Sequence, residues 1–140
     1  MRLLPKLHVG PLYAYRAWRI RGDGLYSFSG WRAWPDDKPK VALCWRNFFP
    51  VNPHHAPGEG CTCGVYAWKE PPTTPHSPQG ITPSWGVVEL GGIVVVHQYG
   101  YRAQYATPVA IEKGVGVEEV ARRYGLVVLD TLDDWKQGPR

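Results

Sequence analysis

The chain has 140 residues, of which 44% are hydrophobic and 20% charged, with a net charge of +4 and three cysteines. This length predicts one domain with a buried core, and the composition excludes disordered, fibrous and disulfide-rich secreted proteins. A membrane-spanning helix needs an apolar run of about 20 residues, and every apolar run in this sequence is much shorter, so we expect no membrane segment.

The first half of the chain predicts short strands separated by irregular loops. Runs of alternating aromatic or β-branched and polar residues predict strands at residues 12–20, 25–29, 41–46 and 65–68. Residues 49–60 contain three Pro and two Gly, which excludes regular structure there. Residues 70–83, rich in Pro and Thr, are the expected mobile loop.

The second half predicts a three-stranded antiparallel meander. Gly91-Gly92 between two β-branched runs predicts a hairpin of residues 85–90 and 93–97. A turn at residues 98–100 then leads to a third strand at residues 101–111.

One helix is predicted near the end of the chain, at residues 117–124. Its apolar residues fall on one face, acidic residues occupy its first turn, basic residues its last, and Gly125 follows it. A final strand at 126–129 and a tail at about 130–140, polar apart from Trp135, complete the chain. We therefore expect one α+β domain over residues 1–140, a small curved antiparallel sheet or partial barrel with one C-terminal helix.

The densest chemistry lies within a stretch of 20 residues that holds every cysteine and two adjacent histidines. These residues are Cys44, His54, His55, Cys61 and Cys63. Thiolate and imidazole are the ligands that structural zinc prefers, normally four of them. One histidine with the three cysteines would make a Cys3His site, and Zn2+ would then stabilise the Pro- and Gly-rich loop.

Other interpretations of this stretch stay open. The Cys-x-Cys spacing of Cys61 and Cys63 is one residue shorter than the usual zinc motif. Cys44 could instead be a small buried residue while the other two are thiols. An iron–sulfur cluster, or a cysteine nucleophile with a histidine base, would use the same residue types.

Basic and aromatic residues suggest a second kind of site. Residues 1–46 hold nine Lys or Arg against three Asp, a local charge of +6. Among them, Arg16 and Arg19 are candidates for contact with a polyanion, and Trp31 and Trp34 for an exposed aromatic platform. The same pattern is also typical of an ordinary β-rich surface.

A third group follows the predicted meander. His97 and Arg102 lie close together near a strand end, among Tyr99, Tyr101 and Tyr105. Arg102 beside His97 could bind a phosphate or carboxylate, or stack on a base. Alternatively the tyrosines pack in the core while Arg102 is solvated or pairs with Glu89.

Several short motifs lie between residues 13 and 129. They are Tyr15-Arg16-Ala17-Trp18-Arg19, Cys44, His54-His55-Ala56-Pro57, Cys61-Thr62-Cys63-Gly64-Val65-Tyr66-Ala67, Trp85-Gly86-Val87-Val88, residues 100–106 and Arg123-Tyr124-Gly125. Together they resemble the shared pattern of a group of small bacterial proteins of undefined function. The resemblance implies no activity. It places the single histidine of that pattern at His54 or His55.

These observations predict a non-enzymatic, zinc-stabilised binding module that docks on a macromolecule. The expected partner is nucleic acid or an acidic protein surface, such as part of the transcription machinery, as for a phage or mobile-element regulator. Residues 1–10 lack the apolar run of a signal peptide, so we expect a cytoplasmic protein. The alternatives are a small-ligand sensor or enzyme that uses His97, Arg102 and the cysteine cluster, and a structural component of a larger assembly.

Overall fold

A computed structural model describes residues 11–28, 30–43, 63–71 and 83–135, with the backbone of three further short strands. The described strands and helix, in chain order, are β1 (Arg2–Leu3), β2 (Leu12–Arg21), β3 (Gly24–Tyr26), β4 (Lys40–Val41), β5 (Trp45–Arg46), β6 (Phe49–Pro50), β7 (Val65–Trp68), β8 (Ser84–Val96), β9 (Gly100–Glu112), α1 (Val117–Tyr124) and β10 (Val127–Leu129). The chain is therefore a mostly antiparallel β structure with one helix, which confirms the coarse α+β prediction.

The largest part of the sheet is a long hairpin of β8 and β9, each of 13 residues. The turn between them was predicted, and it is closed by the backbone N–H of His97, which donates to the carbonyl oxygen of Gly100 at 2.8 Å. β8 also pairs with β2, and β9 with β7, β4 and the parallel strand β10. β2 and β7 share one pair of residues, Tyr15 and Trp68, so the sheet is not a clear barrel.

The predicted hairpin at Gly91-Gly92 is wrong, because β8 continues through it as a single strand. The pairing of β8 with β9 shifts register between Gly91 and Val94. Gly92 has a φ of 72°, and the backbone N–H of Ile93 donates to the side-chain oxygen of Gln104 at 3.1 Å. The two glycines therefore form a bulge that bends the strand.

The main core lies between the sheet and α1. Its buried residues include Ala14, Trp18, Leu25, Trp34, Val88, Ile111, Val117 and Val120. Gly86 permits the close packing of β8 there, because a Cβ at this position would lie 2.4 Å from the carbonyl oxygen of Ala110. The helix has the predicted bounds and ends at Gly125, whose φ is 68°.

The predicted polar tail is wrong for its first part. Leu132–Asp134 forms a turn of 3₁₀-helix, and both Leu132 and Trp135 are buried. They pack with Trp85, Val87 and Leu129 in a second cluster on the other side of the sheet. Residues 136–140 lie outside the described residues.

Other boundaries follow the sequence to differing degrees. β7 has its predicted bounds. The predicted strand at 41–46 is replaced by β4 and by β5, which pairs with β6 in a separate two-stranded sheet. Because β6 is Phe49–Pro50, the exclusion of regular structure from residues 49–60 is wrong at its start. Most of the predicted mobile loop, residues 72–82, lies outside the described residues. Within the part of the chain that the structure describes, no helix is both long and apolar enough to cross a membrane.

Candidate functional site

The short strand β7 places two aromatic side chains on the surface. Its side chains alternate, with Val65 and Ala67 buried and Tyr66 and Trp68 exposed by 48% and 53%. Trp68 pairs with Gly100, where a Cβ would lie 2.5 Å from the carbonyl oxygen of Ala67. β9 can therefore begin close to β7 only because residue 100 is glycine.

The turn between β8 and β9 adds a third aromatic side chain, Tyr99, which is 68% exposed. The backbone N–H of Lys69 donates to the carbonyl oxygen of Tyr99 at 3.0 Å and holds this turn against the end of β7. Between them lies a cavity of about 440 Å³. This cavity, hereafter the aromatic groove, is lined by Tyr66, Ala67, Trp68, His97, Gln98, Tyr99, Gly100 and Tyr101.

Arg102 lies next to the groove, and it is fully buried. Its Nε donates to Nε2 of His97 at 3.0 Å, and its Nη1 donates to the backbone carbonyl oxygen of Cys63 at 2.6 Å. Because the guanidinium can only donate, Nε2 of His97 is the acceptor of this hydrogen bond. His97 lines the groove, whereas Arg102 does not.

This arrangement corrects the expectations for Arg102. It is neither solvated nor reaching out from a strand end toward a ligand, but holds His97 and the start of β7 in place. The structure does bring three of the predicted site residues, Cys63, His97 and Arg102, into one cluster. Cys63 contributes its backbone carbonyl to this contact, a role that no side-chain motif reveals.

The metal prediction lies mostly outside the described residues, which omit Cys44, His54, His55 and Cys61. Cys63 is described and is half-buried beside Gly64, whose φ is 133°. In the described ranges, no group of three or more His, Cys, Asp or Glu is placed to hold a metal ion. The zinc site therefore stays a prediction.

Trp34 is part of the interior and Arg16 is half-buried against it, so the prediction of an exposed Trp34 is wrong. Trp34 is 1% exposed and packs edge-to-face on Trp18, with ring centroids 5.4 Å apart. The Arg16 guanidinium lies 4.9 Å from the centroid of the Trp34 ring and donates to Oγ of Ser27 at 2.9 Å. Burial lowers the pKa of Arg16 to about 10, so it remains a cation at neutral pH.

Arg16 also joins two strands of the site. Its Nη1 donates to the backbone carbonyl oxygen of Tyr66, which connects β2 to β7 beneath the groove. Charge reversal at Arg16 would therefore disturb the fold as well as any partner. Arg19 has a comparable contact, because its Nη2 donates to the carbonyl oxygen of Gly30 at 2.8 Å.

Trp31 is the predicted platform residue that is exposed, by 80%. The guanidinium of Arg32 lies 5.0 Å from the centroid of its ring. Trp31 is not among the residues that line the aromatic groove. Most of the exposed aromatic surface therefore lies at β7 and the turn at Tyr99, and not at Trp31 and Trp34, where it was expected.

A second cavity of about 580 Å³ lies on the other side of Tyr101, beside the second core cluster. It is lined by Pro11, Leu12, Tyr13, Tyr15, Lys69, Glu70, Pro71, Tyr101, Asp133 and Trp135. Sequence reasoning missed it, because residues after 129 were expected to be a polar tail. The available signal was the spacing of Tyr13 and Tyr15, which sends both side chains to one face of a strand.

Comparison of the chain with protein-family models, with curated proteins and with solved structures finds no match. The resemblance to the group of small bacterial proteins stays a prediction. The features that bear on function are therefore the two cavities and the hydrogen-bonded cluster around Arg102.

Proposed function

We propose that this chain is a non-enzymatic binding module that docks on single-stranded nucleic acid through the aromatic groove. The observation that carries the proposal is the convergence of three exposed aromatic side chains, Tyr66, Trp68 and Tyr99, on one cavity. Aromatic rings on a sheet surface stack on bases of any sequence, and each stacked base contributes about 1–3 kcal/mol. A net charge of +4 favours a polyanionic partner.

Structural Zn2+ belongs to the same proposal. Cys63 is one of the predicted zinc ligands, and its carbonyl oxygen accepts a hydrogen bond from Arg102. Arg102 also donates a hydrogen bond to His97, which lines the groove. A zinc ion held by Cys63 with Cys44, Cys61 and His54 or His55 would fix the start of β7. Binding of the metal would then stabilise the strand that carries Tyr66 and Trp68.

Fluorescence anisotropy with labelled oligo-dT and oligo-rU tests the nucleic-acid proposal. We expect binding that weakens steeply with salt, and a loss of about 5- to 100-fold in affinity for Trp68→Ala. Trp31→Ala is the matched control, since it removes an exposed Trp outside the groove. Absence of oligonucleotide binding, or equal affinity of Trp68→Ala and the parent protein, would reject the proposal.

A small-ligand sensor is the second candidate, and the volume of the groove favours it. About 440 Å³ lies within the range of about 300–1,000 Å³ that is typical of small-molecule sites. His97 and Gln98 would supply polar groups in a wall that is otherwise mostly aromatic. Thermal-shift screening with aromatic small molecules separates the two candidates, because a sensor would be stabilised by a compound and not by oligonucleotides.

A further inference from the structure

The second cavity has two aromatic walls. Tyr13 and Trp135 pack with ring centroids 5.2 Å apart and ring planes at 72°, so that the two rings form a corner. The hydroxyl of Tyr15 donates to the carbonyl oxygen of Trp135 at 3.2 Å, which fixes Tyr15 beside this corner. Tyr101 lies on the wall that the second cavity shares with the aromatic groove.

The charge of this lining is negative, in contrast to the chain as a whole. Glu70 and Asp133 contribute two exposed carboxylates, and Lys69 one ammonium group. Burial raises the pKa of Tyr15, and the carboxylates of Glu70 and Asp133 raise it further. Burial and the Glu70 carboxylate likewise raise the pKa of Tyr101, so both of these phenol rings stay neutral at physiological pH.

One cation already lies against this lining. Nζ of Lys69 is 5.6 Å from the centroid of the Tyr101 ring, a distance at which the ring attracts an ammonium group. Aromatic faces together with carboxylates bind organic cations well, since the rings contact the alkyl groups while the carboxylates compensate the charge. A small divalent metal would instead need more oxygen ligands than these two carboxylates.

We propose that the second cavity is a binding site for an organic ammonium cation, held by Tyr13, Tyr15, Tyr101 and Trp135 with Glu70 and Asp133. The site shares Tyr101 with the proposed nucleic-acid surface but opens on the other side of that residue, and the proposal does not depend on nucleic-acid binding. It also differs chemically, because one site takes an anionic polymer and the other a small cation.

Isothermal titration of the whole chain with choline chloride tests this site at constant ionic strength. The matched ligand is 3,3-dimethylbutan-1-ol, in which a neutral carbon replaces the ammonium nitrogen. We expect choline to bind saturably and the neutral analogue at least about tenfold more weakly. Absence of choline binding, or equal binding of both ligands, would overturn the proposal.

Variants of the lining test whether choline binding depends on the charge of the cavity or only on its shape. Glu70→Gln combined with Asp133→Asn changes two exposed carboxylates to amides of the same size, and should weaken choline binding by about fivefold. Glu118→Gln, an exposed carboxylate on α1 outside the cavity, is the control and should bind normally. Lys69→Met should bind choline more tightly, since the competing ammonium is gone. Unchanged affinity of the double variant, or weaker binding by Lys69→Met, would overturn the proposal, while thermal melts verify that each variant is folded.

Discussion

Replacing Arg102 by Met would remove a fully buried guanidinium that joins His97 to the carbonyl oxygen of Cys63. A hydrogen bond from a charged donor contributes about 1.5–3 kcal/mol. Removal of this donor leaves its two part-buried acceptors unsatisfied, at about 1–3 kcal/mol each and so about 2–6 kcal/mol for the pair. We expect the free energy of unfolding of Arg102→Met to fall by this amount, and the melting temperature by about 10 °C.

Urea denaturation followed by tryptophan fluorescence measures this change, and a double-mutant cycle with His97→Leu isolates the contact. We expect a coupling energy between residues 97 and 102 of about 1–3 kcal/mol. Arg122→Met is the matched control, since it removes an exposed arginine from α1 and should change stability by at most about 0.5 kcal/mol. A loss below about 1 kcal/mol for Arg102→Met would refute the argument, because two acceptors would then have lost their donor at almost no cost.

Three further predictions follow from separate parts of the chain. Burial raises the pKa of Tyr124 above its usual 10.0, so the neutral phenol stabilises the folded state below about pH 10, and this contribution is lost as the pH rises further. Between pH 9 and 11, Tyr124→Phe should therefore lose less stability than the parent protein in thermal melts. Identical pH profiles of the two proteins would contradict this. Gly92→Ala should cost at least about 1 kcal/mol more than Gly22→Ala in denaturation, although both residues have positive φ. Only at Gly92 would a Cβ lie 2.9 Å from Cβ of Gln104 and displace Gln104 Oε1, 2.4 Å away, from its hydrogen bond with Ile93. Equal costs would exclude these contacts as the cause. Protein purified without added metal should contain one zinc per chain by elemental analysis. Cys61→Ser should lose the metal and melt at a lower temperature. If the parent protein contains no metal, the proposed zinc site is wrong.

The elements that the sequence predicts correctly are those with local causes. The helix at residues 117–124 depends on its own apolar face, on charges in its end turns and on Gly125. The strand Val65–Trp68 follows from its own alternation and from the glycine before it. Such signals act within a few residues, so a single sequence contains them in full.

The errors arise where distant residues decide the outcome. Gly91-Gly92 forms a bulge and not a hairpin because Gln104, on the opposite strand, accepts a hydrogen bond from Ile93. Trp34 is buried because Trp18 and Arg16 pack against it from another strand. Neither neighbour can be identified from the residues around Trp34 in the sequence.

The geometry of the candidate sites also depends on contacts between distant residues. The sequence places His97 and Arg102 near each other, and their side chains are hydrogen-bonded, yet the second partner of Arg102 is a backbone carbonyl 39 residues away. The aromatic groove needs the meeting of β7 with the turn at Tyr99, and the second cavity needs the return of Trp135 to β2. These are consequences of topology, which residue types alone do not reveal.

The hairpin of β8 and β9 has a consequence for the order in which the native structure forms. Both strands lie within residues 84–112 and are joined by a tight turn, so their pairing closes only a short segment of chain. β2 can join β8 only across 66–78 residues, since Trp18 pairs with Ser84 and Leu12 with Leu90, and that search is slow. We therefore expect the transition state for folding to contain the hairpin, with substitutions in β2 acting mainly on the rate of unfolding.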